Sequence, residues 1–293
     1  MALHPEVARA IADLPAPPER LDPVAMRAAQ AAQVPPPEER AAVASVRDAT
    51  AGGVPVRIYT PAGAAGLIVY LHGGAFFLGS LDTHDHVARS LAAETGREVV
   101  SVGYRLAPEH AFPAALDDGY AVVRWAAERG RSLAIAGDSS GGNLAAAIAA
   151  IAHDDGLDAI AGQILYYPSL DLDFDVDRYA SLRENAVGYG LETAGLKPFN
   201  AFYLDSGADP SDPRVSPIKR ADLTGLPRAL VVTAEHDPLR DEGELYARRL
   251  EAAGVDVTLS RYEGAGHGFI EHFSWIPEFH RVFAETRAFL DRA

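Results

Sequence analysis

A serine held between glycines is the feature of this sequence with the clearest chemical meaning. Gly137-Asp138-Ser139-Ser140-Gly141-Gly142 follows a short apolar run, Leu133–Ala136, and leads into Leu144–Ala150, a strong helix former. The spacing Gly137-x-Ser139-x-Gly141 is that of a nucleophile elbow, in which a sharp strand-to-helix turn pushes the serine hydroxyl out of the sheet. The helix that follows would aim its N-terminal N–H groups, and its positive dipole end, at negative charge developing on a substrate. The same string also reads as an ordinary loop before a helix N-cap, so partner residues elsewhere must decide.

A neutral serine hydroxyl is a poor nucleophile and needs a base, usually a histidine oriented by a carboxylate. Of ten histidines, His267 stands in Glu263-Gly264-Ala265-Gly266-His267-Gly268-Phe269, flanked by small residues after the last strand-like run. Asp237, in Thr233-Ala234-Glu235-His236-Asp237-Pro238, also follows an apolar strand, one crossover earlier. Asp241 and Glu242 read instead as N-terminal charges of the next helix. Asp138, next to the serine, points away from a base on another loop. The order Ser139, Asp237, His267 is that of α/β-hydrolases and differs from the chymotrypsin and subtilisin orders. His72-Gly73-Gly74-Ala75-Phe76-Phe77, directly after a buried strand, offers backbone N–H groups to an oxyanion, and the N–H of Ser140 is another donor. Taken alone, that loop is equally a plain strand-ending turn.

These residues need a scaffold, and the rest of the chain supplies one. Val43–Arg47 and Val54–Tyr59 read as a hairpin around Ala51-Gly52-Gly53. Strands are expected at Gly66–Leu71, Glu98–Val102, Leu133–Ala136, Gly162–Tyr167, Ala229–Thr233 and Asp256–Tyr262. Helices are expected at Thr83–Thr95, Ala115–Arg129, after Ser139, and at Leu191–Leu204, Glu242–Ala253 and Pro277–Arg292. Strands alternating with helices require a mainly parallel sheet covered on both faces. The alternation lapses over residues 169–215, which read as an insertion. Before it all, Val7, Ile11 and Leu14 mark one short helix. Asp22-Pro23 starts a second that runs from Val24 to Gln33. Neither is long enough to stand alone, so both must lie on the domain.

Composition narrows the function. With 293 residues, 48% of them hydrophobic, the chain can bury one large sheet. It has no cysteine, which excludes a disulfide scaffold, a thiolate zinc site and a cysteine nucleophile, and suits a reducing cytoplasm. The net charge of −15 argues against nucleic acid and anionic membranes as partners and favours a small neutral substrate. Neither a signal peptide nor a membrane-spanning run is expected from the pattern. His84-x-His86 could suggest a metal, but residues two apart do not share a helix face.

From about Leu67 to its end the sequence resembles the hormone-sensitive-lipase family of α/β-hydrolase esterases, the bacterial family IV. The resemblance rests on His72-Gly-Gly-Ala-Phe, Tyr104-Arg-Leu-Ala-Pro-Glu-His-Ala-Phe-Pro-Ala, Gly137-Asp-Ser-Ser-Gly-Gly-Asn, Asp237-Pro-Leu-Arg-Asp-Glu and His267-Gly-Phe, in that order. It implies an α/β fold with a mostly parallel eight-stranded sheet, helices on both faces and a helical cap. Residues 1–42 would supply cap helices, and 43–293 the catalytic domain, with the cap insertion at about 169–215. It implies Ser139 as nucleophile, Asp237 as orienting acid, His267 as base, and an oxyanion hole from the backbone N–H groups of Gly74, Ala75 and Ser140. Gly73, Phe76, Phe77, Phe199 and Phe202 are candidate substrate contacts. Arg105 is expected to brace loops by pairing with a carboxylate. No cofactor or metal is implied, and a homodimer is compatible with the resemblance. The implied reaction is hydrolysis of short- to medium-chain carboxylic esters through an acyl-enzyme, with activity rising through roughly pH 6–7 as His267 loses its proton. An amidase or lactonase with the same triad, a long-chain lipase and a non-catalytic receptor are the competing readings. Two positions depart from the family pattern. Ala75 stands where a third glycine is usual, so its methyl is expected to narrow the range of alcohols accepted. Ser140 stands where alanine is common.

Overall fold

The structure, a computed structural model, describes residues 2–14 and 21–292. The chain opens with α1 (Pro5–Ala12) and α2 (Pro23–Ala31). The Asp22 carboxylate caps α2 by accepting the N–H groups of Val24 and Ala25, and Pro23 sits where no helical N–H is needed. The expected cap unit 1–42 includes Met1 and residues 15–20, which lie outside the described residues, as does Ala293 of the catalytic unit.

The hairpin pairs β1 (Ser45–Ala51) with β2 (Val54–Thr60). Its first strand lies later than the sequence pattern suggested, because the turn is only Gly52-Gly53, with φ of 58° and 85°. A two-residue hairpin turn of this kind needs positive φ at both positions, which glycine supplies without steric cost. There follow β3 (Leu67–Leu71), α3 (Asp85–Thr95), β4 (Glu98–Val102), α4 (Ala114–Ala127), β5 (Leu133–Asp138) and α5 (Ser140–Asp154). The chain continues through β6 (Ile160–Tyr166), α6 (Ser181–Glu184), α7 (Thr193–Leu204), β7 (Ala229–His236) and α8 (Arg240–Ala252). It ends with β8 (Val257–Gly266), α9 (Phe269–His272) and α10 (Pro277–Asp291).

The eight strands form one sheet in the order β1-β2-β4-β3-β5-β6-β7-β8. β2 is antiparallel to both neighbours, and every pairing from β4 to β8 is parallel. Strand alternation divides the core between the two faces. Leu67, Val69 and Leu71 of β3 join one apolar cluster with α4, α5 and α8, while Ile68 and Tyr70 join the other with α3 and α10. α5 is buried along nearly its whole length, which explains its alanines: small side chains let it lie close against the sheet. The strand order reverses direction between β4-β3 and β5, so the C-terminal ends of β3 and β5 open side by side. Open α/β sheets hold their ligands at such a point. Residues 169–215 hold α6 and α7 and add no strand to the sheet.

Candidate active site

Ser139 sits between the last residue of β5 and the first of α5, with φ 53° and ψ −119°. That backbone is strained for a residue with a side chain, and the surroundings hold it there. Its N–H donates to the Tyr166 carbonyl (2.9 Å), and its own carbonyl accepts the N–H groups of Asn143 and Ser169 (both 3.1 Å). The turn is tight enough that a Cβ at Gly137 would strike the carbonyl of Gly141, and one at Gly141 would strike the carbonyl of Leu71. Both glycines of the motif are therefore demanded by close approach of backbone to backbone.

His267, one residue past the end of β8, reaches Ser139 Oγ with Nε2 at 2.9 Å. Its Nδ1 lies 2.8 Å from Asp237 Oδ2. Asp237 is fully buried just beyond β7, where its Oδ1 accepts the Leu239 N–H at 2.8 Å. Asn185 donates to the Asp237 carbonyl (3.0 Å), which ties the 169–215 segment to this loop. The Tyr167 ring stands edge-on to the imidazole, centroids 4.9 Å apart. Burial disfavours charge on His267, but the Asp237 carboxylate, with Asp138 and Glu271 beyond it, outweighs that and raises the ring above the ordinary histidine value. The arrangement can take a proton from the serine, hold the resulting imidazolium and return the proton to a leaving group.

Gly74, Ala75 and Ser140 face the same cavity as Ser139. Among the described residues their N–H groups donate to no protein acceptor, so three backbone donors are open to a ligand. The loop carrying the first two is shaped by the Gly74 carbonyl, which accepts from Phe77 and Leu78, and by φ of 123° at Gly74, 50° at Ala75 and 65° at Phe76. Ser140 contributes more than its backbone. Its Oγ accepts the Phe76 N–H (3.2 Å), a bond that the more usual alanine could not make.

The cavity encloses about 540 Å³, the size of a small-molecule site. Val7, Ile11 and Leu14 from the chain start line it, with Leu191, Leu196 and Phe199 from the 169–215 segment. Of the expected contacts, Phe76, Phe77 and Phe199 line it; Gly73 and Phe202 do not. Gly73 is turned inward, its N–H donating to Asp138 Oδ1 at 2.9 Å. Phe202 packs behind Phe77, ring centroids 4.8 Å apart. Both lie within a few residues of the site in sequence, and spacing alone does not tell lining from backing.

Other residues position the site, and the contacts of Arg27 and Gln30 carry no sequence signature. Asp138 accepts from Gly73 N–H and from Tyr70 OH (2.5 Å), which locks the elbow to the neighbouring loop. Arg27 of α2 donates to the Phe77 and Ala107 carbonyls (2.7 and 2.6 Å). Gln30 accepts the Gly79 N–H at 2.9 Å and donates to Glu271 at 3.0 Å, so one side chain joins the loop after β3 to α9. Arg105 forks onto Asp118 as expected of a loop brace (2.7 Å). His84 and His86 do not converge: His86 Nε2 meets the Glu271 carbonyl at 2.7 Å, while His84 Nε2 faces the Glu271 and Asp138 carboxylates.

Comparison with known proteins agrees with this architecture. A family model described as the alpha/beta hydrolase fold matches residues 68–271. Carboxylesterase NlhH of Mycobacterium tuberculosis is 42% identical over 254 residues, which are 82% of this chain and 78% of that protein. An ethyl acetate hydrolase of Pseudomonas putida is 40% identical over 240 residues, 77% of this chain and 74% of that one. The solved structure of a hyperthermophilic esterase from Pyrobaculum calidifontis superposes with a TM-score of 0.88 at 38% identity, covering 98% of this chain and 97% of that one. The chain therefore belongs to the α/β-hydrolase fold family and, within it, to the hormone-sensitive-lipase-like carboxylesterases.

Proposed function

We propose that the protein is a serine esterase that hydrolyses short- to medium-chain esters of small neutral alcohols. The continuous hydrogen-bonded line from Asp237 through His267 to Ser139, ending beside three open N–H donors, carries this reading. In it Ser139 attacks the ester carbonyl while His267 accepts its proton, and Asp237 stabilises the imidazolium. The N–H groups of Gly74, Ala75 and Ser140 hold the oxyanion, each donor worth on the order of 10²–10³ in rate. His267 then protonates the departing alcohol. Water, deprotonated by the same ring, cleaves the acyl-enzyme.

Residues 1–42 and 169–215 serve as the lid in this proposal, because both line the cavity over Ser139. A largely apolar pocket of this volume favours acyl chains of a few carbons over long ones. Among the described residues no helix is long and apolar enough to cross a membrane, and interfacial lipid is not the proposed substrate. A cytoplasmic location and a homodimer remain part of the proposal on the family resemblance and the lack of cysteine. The Ala75 methyl, at the cavity wall, is proposed to restrict bulky alcohol groups.

Turnover of p-nitrophenyl esters from acetate to palmitate tests the reading. Rates should peak between about two and eight acyl carbons, the range a chamber of this size can bury. A maximum at palmitate would favour a lipase, and no turnover on any ester would favour an amidase or a receptor.

The pH dependence has a definite sign. His267 works as base only when neutral, and its partners raise its affinity for a proton. kcat/KM is therefore lost as pH falls through a midpoint above the ordinary value of 6.5. A rate on a neutral ester that stays flat from about pH 5 to 8 would exclude a histidine base.

A further inference from the structure

At the floor of the cavity, beneath the triad, three ionisable side chains meet that the reaction does not use: Asp138 and Glu271 border the cavity, and His84 lies behind them. His84 is fully buried just before α3, and its Nε2 lies 3.8 Å from Asp138 Oδ2 and 3.6 Å from Glu271 Oε2. Among the described residues no hydrogen-bond partner satisfies that nitrogen. Its other ring nitrogen, Nδ1, lies 3.0 Å from the Thr83 hydroxyl. The Thr83 hydroxyl has the Ser80 carbonyl as an acceptor for its own proton (3.3 Å), which leaves its oxygen free to accept Nδ1–H. A ring with one proton serves either Thr83 from Nδ1 or the carboxylates from Nε2, and with Nδ1 protonated it presents a bare lone pair to both carboxylates. A second ring proton removes that conflict.

We propose that His84 is an imidazolium that serves as the buried counter-ion of Asp138 and Glu271, and through them is a positioning residue for the elbow, the oxyanion loop and the His267 loop. Each carboxylate is committed elsewhere through its second oxygen. Asp138 Oδ1 holds Gly73 N–H and Tyr70 OH, and Glu271 Oε1 holds Gln30. One positive charge thus secures the residue before the nucleophile, the residue before the oxyanion donors, and the helix that follows the base. The proposal rests on the triad assignment for its kinetic consequences, but not for the ring's protonation.

The charges around the cluster are consistent. His72 lies against His84 with ring centroids 5.2 Å apart. Burial and the neighbouring His84 push the His72 ring down to about 4, so it stays neutral. Burial would discharge His84 as well, but Glu271 and Asp138 outweigh it and push the ring up to about 10. Glu271 also faces His272 at 3.6 Å and is held well below the usual carboxylate range despite its burial. His86, which bonds the Glu271 carbonyl, is lowered by burial and stays neutral. Tyr70 is raised by burial and by Asp138, and remains a neutral donor. His267 meets Asp237 directly and feels Asp138 and Glu271 beyond it. Loss of the His84 charge removes the cation between those two carboxylates, which raises the affinity of His267 for a proton.

The test has two parts. Nitrogen-detected NMR of the wild-type protein should show both His84 ring nitrogens protonated at pH 7, with the second proton leaving only near the alkaline end. His84→Asn should lower kcat on p-nitrophenyl butyrate by about tenfold or more while KM stays within about threefold. Its acid limb should move up by on the order of half a pH unit. Adding Glu271→Gln to His84→Asn should bring the limb back toward wild type, which a merely space-filling His84 would not do. A single ring proton at pH 7 would overturn the proposal, and so would a limb that stays in place in the folded His84→Asn variant. A stoichiometric divalent cation in the purified protein, lost with activity on chelation, would also overturn it and make the cluster a metal site. Should the variant not fold, the ring-proton measurement on the wild type still decides. Absent ester turnover with a doubly protonated His84 would refute the esterase reading and leave this one standing.

Discussion

Ser139→Ala is expected to lower kcat for p-nitrophenyl butyrate by on the order of 10⁶, the largest effect of any single change here. The substitution removes the one atom that would bond to the acyl carbon and leaves its surroundings intact. The Ser139 backbone is held by Tyr166, Asn143 and Ser169 through main-chain atoms, which alanine keeps. The oxyanion donors and the cavity stay in place, so KM should change little. A residual rate of about 10³–10⁴ over water is the expected floor, from the oxyanion hole and binding alone. Circular dichroism and thermal melting should match wild type. A folded variant retaining more than about a tenth of the wild-type rate would show that another residue is the nucleophile.

Gly141→Ala acts on the same turn by a different route, and should cost the protein its fold before its chemistry. A Cβ there runs into the carbonyls of Leu71 and His72, where the first turn of α5 presses on the end of β3. Backbone cannot yield as a side chain tip does, so either the helix lifts or the strand shifts. Overpacking of this kind costs typically 1–3 kcal/mol, and the fixed backbone on both sides puts this case at or above about 3 kcal/mol. A comparison variant separates clash from strain. Gly156 follows the same helix at φ 71° with open space around its Cα. Gly156→Ala meets only the left-handed backbone penalty, about 1–2 kcal/mol. Urea titration of the two variants measures the difference. Equal midpoints would mean that the elbow is looser than its geometry implies.

The sequence made these residues legible because each obeys a local rule. The elbow glycines answer to sterics within a handful of positions, and Asp237 and His267 each follow an apolar run that could only be a strand. The strand content was readable for the same reason, through apolar runs such as Leu67–Leu71. Strand ends were not. β8 continues past Tyr262 to Gly266 because β7 keeps pairing with it through an irregularity between Ala234 and His236, a fact about the partner strand. The supports of the site were hidden more deeply. Gln30, Gly79 and Glu271 meet across long stretches of chain, and no period or composition marks such a meeting. Asp138 was read as facing away from the base, and it serves the oxyanion loop instead. Ser140 is legible in the sequence only as a backbone donor, whereas its hydroxyl also accepts the Phe76 N–H. Both are side-chain to backbone bonds, which leave no imprint on patterning.

Among the described residues four without the freedom of glycine have positive φ, the serine itself and three that share its cavity: Ser139 at 53°, Ala75 at 50°, Phe76 at 65° and Tyr167 at 35°. Each gives up roughly 1–2 kcal/mol relative to an ordinary conformation. Glycine at Ala75 would remove that cost at this position. With alanine in place, the rest of the fold offsets that cost. The surplus stability of the buried parallel strands is thus already committed to the mouth of the site, and variants that gain robustness without losing rate should be sought far from it, on the outer faces of α4, α8 and α10.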